Sequence, residues 1–254
     1  MRPVALVTGA RRGIGRATCA ALAAKGYDVL GCDIADEGAD ETAAAVVALG
    51  ARFGFRRCDV ADLDAVASLA AWAWGEWGGV EALVNNAGVG ALQRGDLLEV
   101  SPESWDRCMD INARGPFFVS QALARRMVAE GAPQRGPRAL VFVSSANAFM
   151  AAPDRAEYTA SKTAVSMVAR CFALRLAEDG IPVYDIRPGV IRTDMTAPVA
   201  ARYAQRIAEG LSPIRRWGEP EDVGDAIAAL VSGAIPFSTG DAFHIDGGLH
   251  IHRL

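Results

Sequence analysis

A chain of 254 residues, 51% hydrophobic, 22% charged and carrying a net charge of −4, suits one large α/β domain or two small ones with a sizeable core. The slight acidity gives no reason to expect nucleic acid or an anionic membrane surface as a partner. No apolar run reaches the ~18 residues that span a bilayer, and the N-terminus lacks a signal peptide's basic-then-apolar layout, so a cytoplasmic protein is expected.

Residues 3–8 read as a buried strand, followed directly by Gly9-Ala10-Arg11-Arg12-Gly13-Ile14-Gly15 and a helix over about 14–24. In a strand–turn–helix context, glycines let the backbone approach a pyrophosphate, which then sits on the free N–H groups of the helix N-terminus. The spacing is Gly-x-x-x-Gly-x-Gly rather than Gly-x-Gly-x-x-Gly, so an ordinary glycine-rich turn remains the alternative. The second strand, 28–32, ends at Asp33, 18 residues past Gly15, where a carboxylate is placed for the ribose hydroxyls of an adenosine. A loop or helix-capping carboxylate is the plainer option there.

A helix over 37–49, a strand near 52–58 closing on Asp59-Val60, and a helix over 62–77 come next. Trp72, Trp74 and Trp77 of that helix read as packing residues. The strand at 82–85 runs into Asn86-Ala87-Gly88. This βαβαβαβ order implies a parallel sheet with right-handed crossovers and helices on both faces, a doubly wound Rossmann-type α/β fold.

Beyond a loop at 89–98, Ser101-Pro102 looks like a capped helix start, with proline at the first helical position. Asn112 falls in this helical region, which Gly115-Pro116 separates from a run to about Glu130. A polar turn over 131–138 leads to a strand at 139–144 and Ser145. Asp154-Arg155-Ala156-Glu157 reads as a capping box opening a long helix to about 179. That helix is apolar almost all round from Ala164 to Leu176, so a second partner beyond the sheet, and hence a homo-oligomer (dimer or tetramer) through helices near 113–130 and 157–179, is expected. A strand at 182–186, a lid-like segment at about 194–213, a helix at 220–232 and a strand at 242–245 complete one domain over 1–254.

Only two of the 26 basic residues are lysines, and Lys162 lies four residues after Tyr158, on the same helix face. Random placement of four tyrosines and two lysines would give about 0.03 such pairs, so chance explains the spacing poorly. An ammonium beside a phenol of ordinary pKa about 10 favours the phenolate, and so does the nearby helix N-terminus. The five cysteines (Cys19, Cys32, Cys58, Cys108, Cys171) are isolated, odd in number and read as reduced structural thiols. His244, His250 and His252 read as a polar tail with no acidic or cysteine ligand beside them, so no metal site is expected.

Together these motifs resemble the short-chain dehydrogenase/reductase family in its single-domain form. The resemblance rests on Thr8-Gly9-x-x-x-Gly13-Ile14-Gly15, Asp59-Val60, Asn85-Asn86-Ala87-Gly88, Asn112, Ser145, Tyr158-x-x-x-Lys162 and Pro188-Gly189, and it covers nearly the whole chain. It implies Asn112, Ser145, Tyr158 and Lys162 as the catalytic set: Tyr158 as general acid/base, Ser145 stabilising charge on the substrate oxygen, Lys162 lowering the tyrosine pKa and holding the nicotinamide ribose, and Asn112 supporting a water relay. Cofactor contacts are implied at Gly9, Arg12, Gly13, Ile14, Gly15, Asp33, Asp59, Val60, Asn86, Ala87, Gly88, Tyr158, Lys162, Pro188, Gly189, Ile191 and Thr193. Asp33 favours NAD, whereas Arg12 matches a residue that NADP-binding relatives use; NAD is the expectation.

Gly13-Ile14-Gly15-Arg16-Ala17 and the run 188–195 look most like 3-oxoacyl-acyl-carrier-protein reductases, many of whose look-alikes act on sugars, polyols or other small secondary alcohols; hydride transfer between NAD(H) and a 3-oxoacyl thioester, sugar, polyol or other small carbonyl is expected, with an NADPH-dependent 3-oxoacyl-acyl-carrier-protein reductase as the alternative. A dinucleotide-binding sensor without catalysis is the reading from another class, and the intact catalytic set argues against it. Pocket segments are expected at 89–98, 147–153 and 194–210, with Phe149, Met150, Met195 and Tyr203 as apolar walls. Arg202 and Arg206 are the residues available to draw an anionic substrate.

Overall fold

The runs Val4–Thr8 (β1), Ala82–Asn85 (β4), Ala139–Val143 (β5) and Val183–Pro188 (β6) are buried at every position. Continuous burial of this kind belongs to the interior of a parallel sheet covered on both faces. In the computed structural model, which describes every residue except Gln134, Arg253 and Leu254, they join Asp28–Asp33 (β2), Phe53–Arg57 (β3) and Ala242–Ile245 (β7) in one parallel sheet of order β3-β2-β1-β4-β5-β6-β7. The only partly buried strands, β3 and β7, are its edges.

Alternate residues of the central strands feed two cores, as a period of two requires. Leu6, Leu30, Leu83, Leu140 and Phe142 pack with Leu69 of α3 (Leu63–Glu76), Leu123 of α5 (Gly115–Glu130) and Val165 of α6 (Ala156–Leu176). Ala5, Val7, Val29, Val84 and Val141 pack on the other face with Leu22 of α1 (Gly13–Ala24) and with Val223 and Ile227 of α8 (Pro220–Val231). Strand order reverses between β1 and its two neighbours, β2 and β4, and a crevice opens there at the C-terminal ends of the strands. Trp72, Trp74 and Trp77 pack against the first core, as expected. No helix of the described residues is long and apolar enough to cross a membrane.

The element order follows the expected one, with four local differences. The helix at 102 does not break at Gly115-Pro116: α4 (Pro102–Met109) passes through one π-helical turn, Asp110–Arg114, into α5. Proline is tolerated because it stands in the first turn of α5, and Gly115 because a Cβ there would lie 2.8 Å from the Val60 carbonyl oxygen. The capping box at 154–157 does not form. Asp154 lies in a 3-10 turn, paired with Arg155, and Glu157 is buried with its Oε1 accepting from Ser104 Oγ at 2.6 Å.

In the turn 131–138, Gln134 lies outside the described residues, and Arg138 is buried, donating to the carbonyls of Met127 and Gly131 and pairing with Glu130. Finally, the lid-like segment resolves into a 3-10 turn, Ala197–Val199, and α7 (Ala200–Ala208). The remaining helix is α2 (Ala39–Ala48).

Candidate active site

The crevice is floored by the turn after β1. Gly9 (φ 67°) and Gly13 (φ 52°) adopt left-handed backbone that a side chain would strain, and a Cβ on Gly9 would come within 2.9 Å of the Ala87 Cα. Thr8 Oγ1 accepts from the backbone N–H groups of Asn86 (3.1 Å) and Ala87 (3.0 Å), and Asn86 Nδ2 donates back to the carbonyls of Thr8 (2.9 Å) and Gly9 (3.0 Å). The two loops are therefore laced together, and the Asn86 side chain is spent on that lacing. Helix α1 starts at this turn with no side-chain cap and no acid in its first turn. Its leading N–H groups and positive dipole end suit a pyrophosphate.

Asp33 closes the far end of this cradle. Its carboxylate accepts from the Ile34 N–H (2.8 Å), from the Arg11 N–H (3.4 Å) and from Arg11 Nε (3.2 Å). Arg12 instead pairs with Asp194 at 2.7 Å, both side chains exposed. Arg11, and not Arg12, is thus the arginine beside Asp33. Asp59 Oδ1 caps the turn at Ala61 N–H (2.9 Å), with Val60 buried behind it. Gly88 faces the catalytic candidates, since a Cβ there would lie 3.2 Å from both Asn112 Oδ1 and Lys162 Nζ. On the opposite side of the crevice, Gly189 after Pro188 leaves room for Asp246, Ile191 bridges to Gly218, and the Thr193 side chain lies 3.4 Å from where Gly13 would carry a Cβ.

Asn112 sits in the π turn, a local distortion common at functional sites. Its side chain makes three bonds: Oδ1 accepts from Val89 N–H (2.8 Å), and Nδ2 donates to the Val89 carbonyl (2.9 Å) and to Ser161 Oγ (2.9 Å). Ser161 in turn donates to the Tyr158 carbonyl at 2.8 Å. Lys162 is buried, its Nζ donating to the Val143 carbonyl at 2.9 Å and lying 5.9 Å from the Tyr158 ring centre. Burial lowers its pKa to about 8, against the upward pull of Asp185 and Cys108. Asp185 is itself buried and is held by Ser144, by Ser166 Oγ (2.6 Å) and by Arg187 Nε (3.0 Å).

Burial also pushes the Tyr158 phenol above its ordinary value. The leading downward pulls are the Ser145 hydroxyl and then the charges of Arg155 and Arg94, rather than Lys162 and the helix end. Of the adjacent serines, Ser144 is committed to Asp185, whereas Ser145 holds the Asn147 N–H at 3.1 Å and interacts with Tyr158.

Above Tyr158 the mouth differs from expectation. Arg155, in the turn before α6, donates to Asn147 Oδ1 from Nε (3.3 Å) and Nη2 (3.1 Å). Arg94, from the loop after β4, and Arg155 both interact with the buried Tyr203 of α7, whose phenol they pull below its ordinary value although burial alone would raise it. Arg202 pairs weakly with Asp154 (3.8 Å), and Arg206 is exposed. Arg155 was legible as the residue three before Tyr158 at helical spacing; no local signal in the sequence marks Arg94.

The C-terminal histidines are not a loose polar tail. His244 on β7 stacks on His250 with ring centres 3.8 Å apart, and Asp246 Oδ2 takes His250 Nδ1 at 2.8 Å and lies 3.6 Å from His244 Nδ1. Asp246, four residues before His250, is the acidic neighbour the sequence reading overlooked. Among the described residues these three are the one group whose ligand atoms gather as a cation would require. His252 meets the Phe149 ring at 6.0 Å.

A family model described as enoyl-(acyl carrier protein) reductase, of the short-chain dehydrogenase/reductase type, matches residues 9–250. The chain belongs to the short-chain dehydrogenase/reductase family. It is 36% identical over 96% of its length, and 94% of the relative's, to 2-dehydro-3-deoxy-D-gluconate 5-dehydrogenase of Escherichia coli. It is 37% identical, over 96% of its length and 95% of the relative's, to cis-4-hydroxycyclohexanecarboxylate dehydrogenase of Sinomonas cyclohexanicum. Among solved structures it is similar to a 3-oxoacyl-[acyl-carrier protein] reductase from Brucella melitensis in complex with NAD, with a TM-score of 0.96, 45% identity, and coverage of 100% and 99% of the two chains. The protein is accordingly an NAD(P)-binding oxidoreductase that moves hydride between its cofactor and a secondary alcohol or ketone.

Proposed function

We propose that the protein interconverts a small secondary alcohol and its ketone with NAD(H), using Tyr158 as the proton-transfer group. The observation that carries this reading is the joint placement of Tyr158, Ser145, Lys162 and Asn112 at the C-terminal ends of β4 and β5, next to an uncapped helix N-terminus.

When bound, NAD supplies the site that accepts or gives the hydride; the protein supplies position and protons. In the oxidation direction Tyr158, as phenolate, takes the proton of the substrate hydroxyl; in reduction the phenol returns it. Ser145 donates to the same substrate oxygen and stabilises charge as it develops there. One Lys162 proton is spent on Val143, and its other donors serve the ribose and the proton path to solvent. With both amide hydrogens engaged and one Oδ1 lone pair left for a water of the proton relay, Asn112 also locks the Val89 loop against α6. The Gly9–Gly15 turn, Asp59-Val60, Gly88, Pro188-Gly189, Ile191 and Thr193 hold the rest of the dinucleotide, while Asn86 holds the cradle itself together.

NAD is favoured over NADP because Asp33 stands where a 2′-phosphate would have to bind. Two like charges at ~4 Å repel by about 4 kcal/mol at an effective dielectric near 20. Arg12 is turned to Asp194, and Arg11, the cation beside Asp33, is taken up by that carboxylate. Likeness to relatives named for a gluconate derivative and a cyclohexanecarboxylate supports a small hydroxy or oxo compound, and likeness to the Brucella melitensis reductase supports a 3-oxoacyl thioester as the competing substrate. Exposed Met167 and Leu174 on α6 support a homo-oligomer built through α5 and α6. The test is NAD+ reduction across secondary alcohols, sugars, hydroxy acids and 3-hydroxyacyl thioesters. Activity confined to NADP+, or to thioesters, would contradict it.

A further inference from the structure

Resting on the hydride-transfer reading above, we propose that Asp185 of β6, with Arg187, is a positioning device for that reaction. Through Ser144 and Ser166 it clamps the end of β5, which leads into Ser145, to helix α6, which carries Tyr158 and Lys162. All four side chains of the clamp are buried. The carboxylate is shared among them: Oδ1 accepts from the Ser144 hydroxyl, and Oδ2 accepts from Ser166 Oγ (2.6 Å) and from Arg187 Nε (3.0 Å). Arg187 Nη2 donates in turn to Ser166 Oγ at 2.8 Å, which closes a ring of Asp185, Arg187 and Ser166.

What the clamp touches gives it a consequence for the reaction. Ser144 directly precedes Ser145, and its N–H donates to the Ile186 carbonyl at 2.8 Å, so β6 sets both its backbone and its side chain. Ser166 lies four residues after Lys162, one turn along the same face of α6. Lys162 reaches the same strand end, donating to the Val143 carbonyl at 2.9 Å, but that bond occupies a proton of a reacting group. The Asp185 clamp fixes the helix without one. An ionised carboxylate only accepts, so it can take all three donors at once, and these come from the end of β5, from α6 and from β6 itself. A buried ion pair is a poor source of net stability, because desolvation offsets its attraction and apolar residues of similar volume often serve as well. Placement is the better use for it. Ser145 and Tyr158 must converge on one substrate oxygen from a strand end and a helix, and a displacement of about 1 Å between them can cost about 100-fold in rate.

The test separates placement from stability. Ser166→Ala opens the clamp and leaves the Asp185–Arg187 pair in place, whereas Asp185→Leu combined with Arg187→Met removes the pair without stranding either charge. The reaction followed is oxidation by NAD+ of the secondary alcohol that proves fastest in the panel above. Its kcat is expressed per NADH-binding site, so that unfolded chains do not count. Both variants are expected to lose at least about 10-fold in kcat, with KM for the alcohol and Kd for NADH within about 3-fold of wild type. With the alcohol deuterated at its carbinol carbon, the isotope effect on kcat should be no smaller than in the wild type, because hydride transfer then limits turnover. Independently of turnover, the backbone N–H groups of Asn147 and Ala148, which Ser145 holds, should exchange with solvent at least about 10-fold faster in Ser166→Ala. A smaller loss of kcat per site in Ser166→Ala overturns the proposal whatever the exchange rates, and so does a loss confined to KM or to NADH binding. Unchanged exchange overturns it with or without turnover. Faster exchange in a protein whose wild type oxidises no alcohol would sink the hydride-transfer reading and leave the clamp standing; wild-type oxidation with unchanged kcat in the variant would do the reverse.

Discussion

Arg11 folds back onto Asp33, its Nε 3.2 Å from the carboxylate Oδ1 and its backbone N–H 3.4 Å from Oδ2. The carboxylate proposed to select the cofactor is thus held by the turn after β1. Replacing it by serine removes the repulsion of a 2′-phosphate and frees the Arg11 guanidinium to face one. Asp33→Ser is expected to lower kcat/KM for NAD+ about 10- to 100-fold, the worth of a charged hydrogen bond, and to raise it for NADP+. Steady-state kinetics with both cofactors checks this, and an unchanged NAD+ preference would count against the role given to Asp33.

Tyr158→Phe keeps the ring and its packing but removes the transferable proton. Turnover should fall at least about 1,000-fold while NADH binding, followed by fluorescence, stays within a few-fold. Ser145→Ala tests the pull on the phenol. Because Ser145 favours the phenolate, its loss raises the Tyr158 pKa further above the ordinary value. The rising limb of the pH profile for alcohol oxidation should therefore move to higher pH, and a shift to lower pH would contradict the role of Ser145.

Lys162 leaves a mark on stability. Its folded pKa, about 8, lies below the ordinary lysine value of about 10.5, so the unfolded chain binds more protons between those pH values. Below pH ~8 folding carries the full cost of burying the charge, about 3 kcal/mol, and the cost fades as pH rises towards ~10.5. Lys162→Met should be the more stable protein at pH 7, with the gap to wild type closing from pH 8 upward. Taking the difference between the two proteins matters, since buried Cys19 and Tyr27, with raised pKa values, oppose the trend in both alike. Urea titrations at several pH values measure it; a gap independent of pH would refute it.

Thr8 tests the lacing of the cradle. Thr8→Ala strips the acceptor from two backbone N–H groups, those of Asn86 and Ala87, and should cost about 1–3 kcal/mol in urea unfolding. Thr8→Ser keeps the oxygen and should recover most of the loss together with cofactor affinity.

The fold was legible because fully apolar strand segments, glycine turns and amphipathic helices alternate with a regular order, and a parallel sheet is the architecture that order permits. Tyr158, Lys162 and the Gly9–Gly15 turn were legible because their spacing is local. What was misread depends on contacts distant in sequence. Arg11 and Arg12 are adjacent and chemically alike, and only the positions of Asp33 and Asp194 separate their roles. The capping box at 154–157 had the right letters, but Glu157 finds Ser104, 53 residues away, and leaves the helix start.

The cradle helix α1 is finished by the far end of the chain. Gly224 of α8 approaches the Ala17 backbone so closely that a Cβ would meet its carbonyl carbon at 2.8 Å, and the Tyr27 hydroxyl donates to the Val231 carbonyl at 3.1 Å. A ribosome-bound chain that has emerged only through β4 therefore has its dinucleotide turn but lacks the wall against which that turn's helix is set. Long-range closure of this kind slows folding and leaves apolar surface uncovered until the last sixth of the polypeptide arrives. Truncations that spare every catalytic side chain, but end before residue 220, should for that reason yield aggregation-prone chains that do not retain cofactor.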